Sequence, residues 1–261
     1  MPDGAASPDR STSRRQWLAR GINLLLATAA LAWTFSAFPS ISDPAAAKVA
    51  GGIARGENYD PAMLRQIVAS ELPSAERFCN WKSLRNLLIL QFGAANDTVR
   101  SVDLGQADLD IAAVNTISRA LLGCAPAESI GWLGVYWSAI RQEGFGPRAA
   151  GYLAQSYRTA PHEAWIQLIR APLALRSYDA LSPELKQAAV TDFEDVFRAN
   201  LFPSAALLLK AATTARTALL DKTCESPEHE RLVFLHFADE AGLTIHHRCY
   251  PADDRPGYMR D

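Results

Sequence analysis

The chain has 261 residues, 49% of them hydrophobic and 21% charged, with a formal net charge of −2 and a mean hydropathy of −0.05. That composition excludes a disordered chain, and a polytopic membrane protein, because only one segment is long and apolar enough to span. Four cysteines are too few for a disulfide-stapled miniature scaffold, and the charge balance offers no basic surface for nucleic acid.

The N-terminus reads as an address. Residues 1–20 carry Arg10, Arg14, Arg15 and Arg20 against Asp3 and Asp9. From Gly21 to Ser42 there is no charge, and as a helix these 22 residues would span about 33 Å, against a hydrocarbon core of about 30 Å. Trp17, Trp33, Phe35 and Phe38 lie toward the two ends, where rings favour the membrane interface. The basic flank comes first, so the N-terminus is expected in the cytoplasm and the rest beyond the inner membrane.

Two fates fit this run. One is an uncleaved single-pass anchor. The other is a cleaved signal with its small-residue site at Ala45-Ala46-Ala47, leaving a periplasmic protein. Ser13-Arg14-Arg15-Gln16-Trp17-Leu18 resembles a twin-arginine export signal, with Trp17 where Phe is usual. The chain divides accordingly: 1–20 cytoplasmic, 21–42 anchor or signal, 43–57 linker, 58–245 helical domain, 246–261 a tail tied by a disulfide. The exported part from Asp43 holds 26 acidic and 22 basic residues.

Prolines punctuate that body. Pro61, Pro73, Pro126, Pro147, Pro161, Pro183, Pro203 and Pro227 each precede a stretch of helix-period pattern. Proline suits the first helical position, where its missing N–H costs nothing and its φ is preset. Cap residues precede several of them, at Asp60, Gly146, Ser182 and Ser226. Acids follow at Glu76, Glu128, Glu163, Glu184 and Glu228, complementing the helix dipole. Pro172 falls inside a helix expected over 161–178 and is expected to kink it. Along 181–197, Leu181, Leu185, Ala188, Ala189, Asp192, Phe193, Val196 and Phe197 make one apolar stripe with polar residues opposite. No alternating β-strand pattern occurs, so the fold class is all-α.

Pro126 and Pro161 lie 35 residues apart, and Pro147 and Pro183 lie 36 apart. Ala125-Pro126-Ala127-Glu128 is echoed by Ala160-Pro161-His162-Glu163. Helix–turn–helix units at this period predict a short, degenerate tetratricopeptide-like stack of antiparallel helix pairs.

The four cysteines allow three connectivities. Helices expected over 74–92 and 105–123 would form a hairpin that brings Cys79 to Cys124. A helix from Pro227 runs about 22 Å, Gly242 stops it, and the extended residues 242–249 return about 26 Å, landing Cys249 beside Cys224. The predicted pairs are Cys79–Cys124 and Cys224–Cys249; the other reading is four buried thiols.

No residue set commits the chain to catalysis, and the expectation is that it is not an enzyme and uses no cofactor. Cys224, His229, His236, His246, His247 and Cys249 are metal-ligand types, but no Cys-x-x-Cys occurs and His229 and His236 are two turns apart; no metal site is expected. Glu128-Ser129 resembles the Glu-Ser pair of soluble lytic transglycosylases without their flanking sequence, and helix capping accounts for it. Asp192, Glu194 and Asp195 read as one solvated helix face. Gly144-Phe145-Gly146-Pro147 reads as an inter-helix turn. Trp132, Tyr136, Trp137, Tyr152, Tyr157 and Trp165 cluster with Arg141, Arg148, Arg158 and Arg170. They would either pack helices or line a sugar- or peptide-binding groove built from Trp132, Tyr136, Arg141, Tyr157, Arg158, Trp165 and Arg170.

The charge-free segment, Gly56-Glu57-Asn58-Tyr59-Asp60-Pro61-Ala62-Met63-Leu64, Ser156-Tyr157-Arg158-Thr159-Ala160-Pro161-His162-Glu163-Ala164-Trp165, Arg170, Leu181-Ser182-Pro183-Glu184 and the closing helix at Gly242 together resemble a family. These are proteobacterial membrane-anchored tetratricopeptide-like proteins associated with exopolysaccharide or O-antigen biosynthesis. The resemblance runs diffusely over residues 20–245. It implies a non-catalytic accessory that works beside another envelope protein of a polysaccharide polymerisation or export complex. The alternative is an envelope glycan-binding protein or cell-wall-acting enzyme.

Overall fold

The computed structural model describes residues 10–37, 44–101 and 104–250. Among these, all regular structure is helical. The chain divides into two units, 1–43 and 44–261.

The first unit contains helix α1, Arg10–Ala37. Its side chains from Ala19 to Thr34 are exposed, including Leu24 and Leu25 at 71% and Trp33 at 76%. Thr28 donates its hydroxyl to the Leu24 and Leu25 carbonyls, and Thr34 to those of Ala30 and Leu31. Both polar groups are thereby satisfied within the helix. Among the described residues no helix is long and apolar enough to cross a membrane. Residues 38–42, the end of the charge-free run, lie outside the described residues, as do 1–9 and the tail 251–261.

The second unit is built from eleven described α-helices: α2 (Pro44–Ala54), α3 (Pro61–Arg77), α4 (Trp81–Ser101), α5 (Leu104–Cys124), α6 (Ser129–Glu143), α7 (Pro147–Thr159), α8 (Ala164–Arg176), α9 (Pro183–Arg198), α10 (Phe202–Ala211), α11 (Arg216–Thr223) and α12 (Glu228–Glu240). The expected linker 43–57 is largely helical: α2 packs on α4, with Ala46 and Ala50 buried. Its small residues gave no helix-period signal, yet they allow close approach.

The proline rule holds at Pro61, Pro147 and Pro183, each the first residue of its helix. Asp60 accepts from the Ala62 N–H at 2.9 Å, and Ser182 from that of Leu185. Pro203 also sits in a first turn, and Pro227 is the N-cap of α12. It fails at Pro73, which lies inside α3, so the expected helix 74–92 is replaced by the end of α3 and the start of α4. Pro126 and Pro161 each stand three residues ahead of their helix, which begins after Glu128 and Glu163. α8 runs through Pro172.

Helix ends share one device. Gly56, Cys79, Asn200 and Gly242 all have positive φ, at 86°, 49°, 59° and 75°. After α12, the Leu243 N–H bonds the Ala238 carbonyl and the Gly242 N–H bonds that of Asp239, each at 2.8 Å. This is the Schellman pattern, in which a left-handed residue satisfies the last carbonyls. The same pair of bonds closes α3 at Cys79–Asn80 and α9 at Asn200–Leu201. Asn80 then caps α4 by accepting from the Ser83 N–H.

Consecutive helices pair: α4 with α5, α6 with α7, α8 with α9. Across pairs, α6 meets α8 and α7 meets α9. The core runs through these contacts and ends in an aromatic cluster of Phe193, Phe197, Phe202, Phe234 and Tyr250.

Candidate functional site

Both expected disulfides are present. Cys79 pairs with Cys124 and Cys224 with Cys249, each with Cα atoms 5.4 Å apart. Cys79 occupies the left-handed seat between α3 and α4, and Cys124 is the last residue of α5. Their bond fixes two corners of the helical body beside each other.

Those corners carry a polar aromatic patch. Trp81 and Arg85 lie in the first turns of α4. The Arg85 guanidinium carbon sits 5.2 Å from the Trp81 ring centroid and 5.9 Å from that of Trp165, at the start of α8. Arg85 Nη1 is 4.0 Å from Glu128 Oε1. Trp165 donates its indole N–H to Glu163 Oε2 at 2.9 Å. Glu128 and Glu163 are the N-cap residues of α6 and α8, with matching extended backbones. The repeated Ala-Pro-x-Glu string therefore places one carboxylate at the start of each unit.

Glu128 makes no side-chain cap bond, contrary to the capping reading. Burial pushes its carboxyl up; Arg85 opposes that shift and Glu163 adds to it. A half-buried carboxyl, a guanidinium and two indoles can grip a hydroxyl-rich or planar ligand by stacking and hydrogen bonding.

The groove read from the sequence is not assembled as such. Tyr136 and Arg170 are fully buried and Tyr157 nearly so. The Arg170 guanidinium lies 3.9 Å above the Tyr157 ring and is forked onto Asp192. Burial first, then the Asp192 carboxylate, push the Tyr157 phenol well up. Tyr136 donates to Ser177. Trp132 stacks on Tyr152 with centroids 6.3 Å apart and donates to the Pro126 carbonyl. Arg141 lies over the Trp137 ring, and Arg158 pairs with Gln155. Of the seven, only Trp165 joins the patch around Arg85.

The acidic face expected at 192–195 also divides. Asp192 is buried against Arg170, because a guanidinium from α8 reaches across to neutralise it. Asp195 accepts from Gln167 and pairs with His162. Glu194 pairs with Arg198 and Lys222.

The second disulfide gathers its own neighbours. His247 Nδ1 stands 3.9 Å from Cys224 Sγ, and His247 Nε2 lies 3.5 Å from Asp221 Oδ1. Arg248 donates to the same Asp221 oxygen at 2.7 Å. Tyr250 hydrogen-bonds Thr223 at 2.6 Å, and burial pushes its phenol up. A cavity of about 240 Å³ opens beside Cys249. His229 is not part of this group, and His236 pairs with Glu240.

Sequence reading did not single out Trp81 and Arg85. The available signal was their position directly after Cys79. Compared with protein-family models, curated proteins and solved structures, the chain finds no match in any of the three.

Proposed function

We propose that the protein is a non-catalytic helical scaffold of the cell envelope, tethered by its N-terminal apolar run, that engages a partner protein of a polysaccharide polymerisation or export complex. The observation that carries the reading is the pair of disulfides at helix junctions. Such bonds persist in oxidising compartments beyond the cytoplasm. The N-terminal run adds support. Its leucines and Trp33 are exposed on α1, and its two threonine hydroxyls are internally satisfied, as a lipid environment demands. Counted through Ser42, the charge-free sequence has the length of one span; a cleaved leader delivers the body to the same side.

The body is a degenerate tetratricopeptide-like stack. Support comes from the mid-thirties spacing, the repeated Ala-Pro-x-Glu starts and the meeting of α6 with α8 and α7 with α9. Stacks of this kind bind partners along a face. The link to polysaccharide assembly rests on the sequence resemblance alone. The experiment is crosslinking and co-purification of the full chain from envelopes, together with a topology reporter after residue 261. Recovery of a polysaccharide-assembly protein supports the scaffold. A reporter active in the cytosol overturns the address, and loss of polymer on deletion with no crosslinked partner overturns the scaffold role.

One observation favours a second reading, glycan binding. The Trp81–Arg85–Trp165 sandwich with Glu128 and Glu163 offers a stacking surface for a sugar ring. Titrating the full chain with envelope glycans tests it. Binding lost in Trp81→Ala favours this reading, and no binding to any glycan removes it.

A further inference from the structure

We propose that reduction of the Cys224–Cys249 disulfide creates a zinc site from the two thiolates and the His247 imidazole. The inference is independent of the envelope reading, because the chain carries thiols before any disulfide forms.

Geometry supplies the first argument. One ligand atom from each of Cys224, His247 and Cys249 lies within 4.8 Å of the other two. A tetrahedral zinc ion with Zn–S of about 2.3 Å and Zn–N of about 2.0–2.1 Å sets its ligands roughly 3.4–3.8 Å apart. The Cys224 sulfur and His247 Nδ1 are already 3.9 Å apart. What must change is the sulfur–sulfur separation, which reduction releases. Cys249 sits outside any helix, in the segment after Gly242, so its backbone can give.

Orientation is the second argument. Zinc-bound histidines usually donate their other ring N–H to a carboxylate, which fixes the tautomer. Asp221 faces His247 Nε2 at 3.5 Å, leaving Nδ1 aimed at the sulfurs. The His247 side chain is only 9% exposed, so its ring is held in place. The Cys79–Cys124 pair belongs to no such three-donor group among the described residues. Having two cysteines close together is therefore not what makes the site.

The chemistry balances. A dithiol reductant gives two electrons and two protons to the disulfide, yielding two cysteine thiols and the oxidised dithiol. Zinc then displaces the two thiol protons and binds the neutral imidazole. The resulting centre carries no net charge, with three protein ligands and a fourth position for water.

The test uses the purified full chain, oxidised or reduced with a phosphine, equilibrated with zinc sulfate and dialysed. The expected result is close to one zinc per reduced chain, none in the oxidised chain, and undiminished binding in Cys79→Ser/Cys124→Ser. Cobalt as a probe should give thiolate-to-metal charge-transfer absorption in the near ultraviolet. His247→Ala keeps the disulfide and can be folded oxidised before reduction, so its loss of zinc is not a folding failure. Asp221→Asn should weaken zinc binding about 10–100-fold. Zinc in the oxidised chain, no zinc in the reduced chain, or full affinity in His247→Ala overturns the proposal.

Discussion

Arg170 and Asp192 form a fork inside the protein: Nε to Oδ2 at 3.0 Å and Nη2 to Oδ1 at 2.8 Å, with both side chains shut off from solvent. The remaining guanidinium nitrogen donates to the Ser156 and Ala160 carbonyls, each at 3.0 Å. Both lie at the end of α7, where helix carbonyls lose their intrahelical donors; that of Ser156 also accepts from the Ser129 hydroxyl and the Ala160 N–H, whereas Arg170 is what serves that of Ala160. One side chain thus neutralises α9, caps α7 and covers the Tyr157 ring. Arg170→Ala would leave Asp192 buried without a counter-charge and should cost about 3–5 kcal/mol. Arg170→Met with Asp192→Leu should recover most of that, but not all, because the Ala160 carbonyl still loses its donor. Chemical denaturation of the three proteins measures both effects. Equal loss in the single and double variants would refute the account.

This pair marks the limit of what the sequence discloses. The proline starts at 61, 147 and 183, the stop at Gly242 and both disulfides followed from local rules and chain lengths. Arg170 and Asp192 were both visible, yet aromatic-plus-arginine composition suits a wet groove and a dry core equally well. Only the distance from α8 to α9 decides between them. The patch around Arg85 gathers residues from α4, from before α6 and from α8, and no local pattern joins Trp81 to Trp165. α2 was missed because its alanines and glycines carry little hydrophobic contrast.

The Cys79–Cys124 bond joins residues 45 apart in sequence. Replacing both cysteines with alanine should lower stability by about 2–4 kcal/mol through the freed unfolded chain. Because Cys79 also holds a left-handed seat at φ 49°, Cys79→Gly with Cys124→Ala should be milder than the double alanine variant. Comparing the two unfolding midpoints separates the cross-link from the backbone contribution.

At the start of α9, Glu184 is held below its ordinary value of 4.5, first by its own backbone N–H and then by the Ser182 hydroxyl. A lowered folded value means that the carboxylate form favours folding. That contribution is present above the unfolded-state value and fades as pH falls through the lowered folded value. Ser182→Ala should cost about 1 kcal/mol as a lost N-cap and move the Glu184 titration back toward its ordinary value. Carboxyl chemical shifts followed from neutral to acid pH report the second effect, and an unmoved titration would rule out the Ser182 contribution.

α5 and α6 come close together where Gly134 faces Ser118. A Cβ built on Gly134 would fall on the Ser118 hydroxyl, which is buried and finds no hydrogen-bond partner among the described residues. Two opposite effects follow. Ser118→Ala removes an unsatisfied polar group and should leave stability unchanged or raise it by up to about 1 kcal/mol. Gly134→Ala gains helix propensity of about 1 kcal/mol but forces two helices apart, at a cost of about 1–3 kcal/mol. Combined, they should not add. With the hydroxyl gone, the new methyl meets the remaining Ser118 Cβ position at 3.1 Å, still tight but no longer overlapping. The double variant should therefore be more stable than the sum of the single changes allows. A thermal-unfolding double-mutant cycle reads that coupling directly. A coupling of zero would mean that the helices have room to part at this point, and that glycine is not what sets their separation.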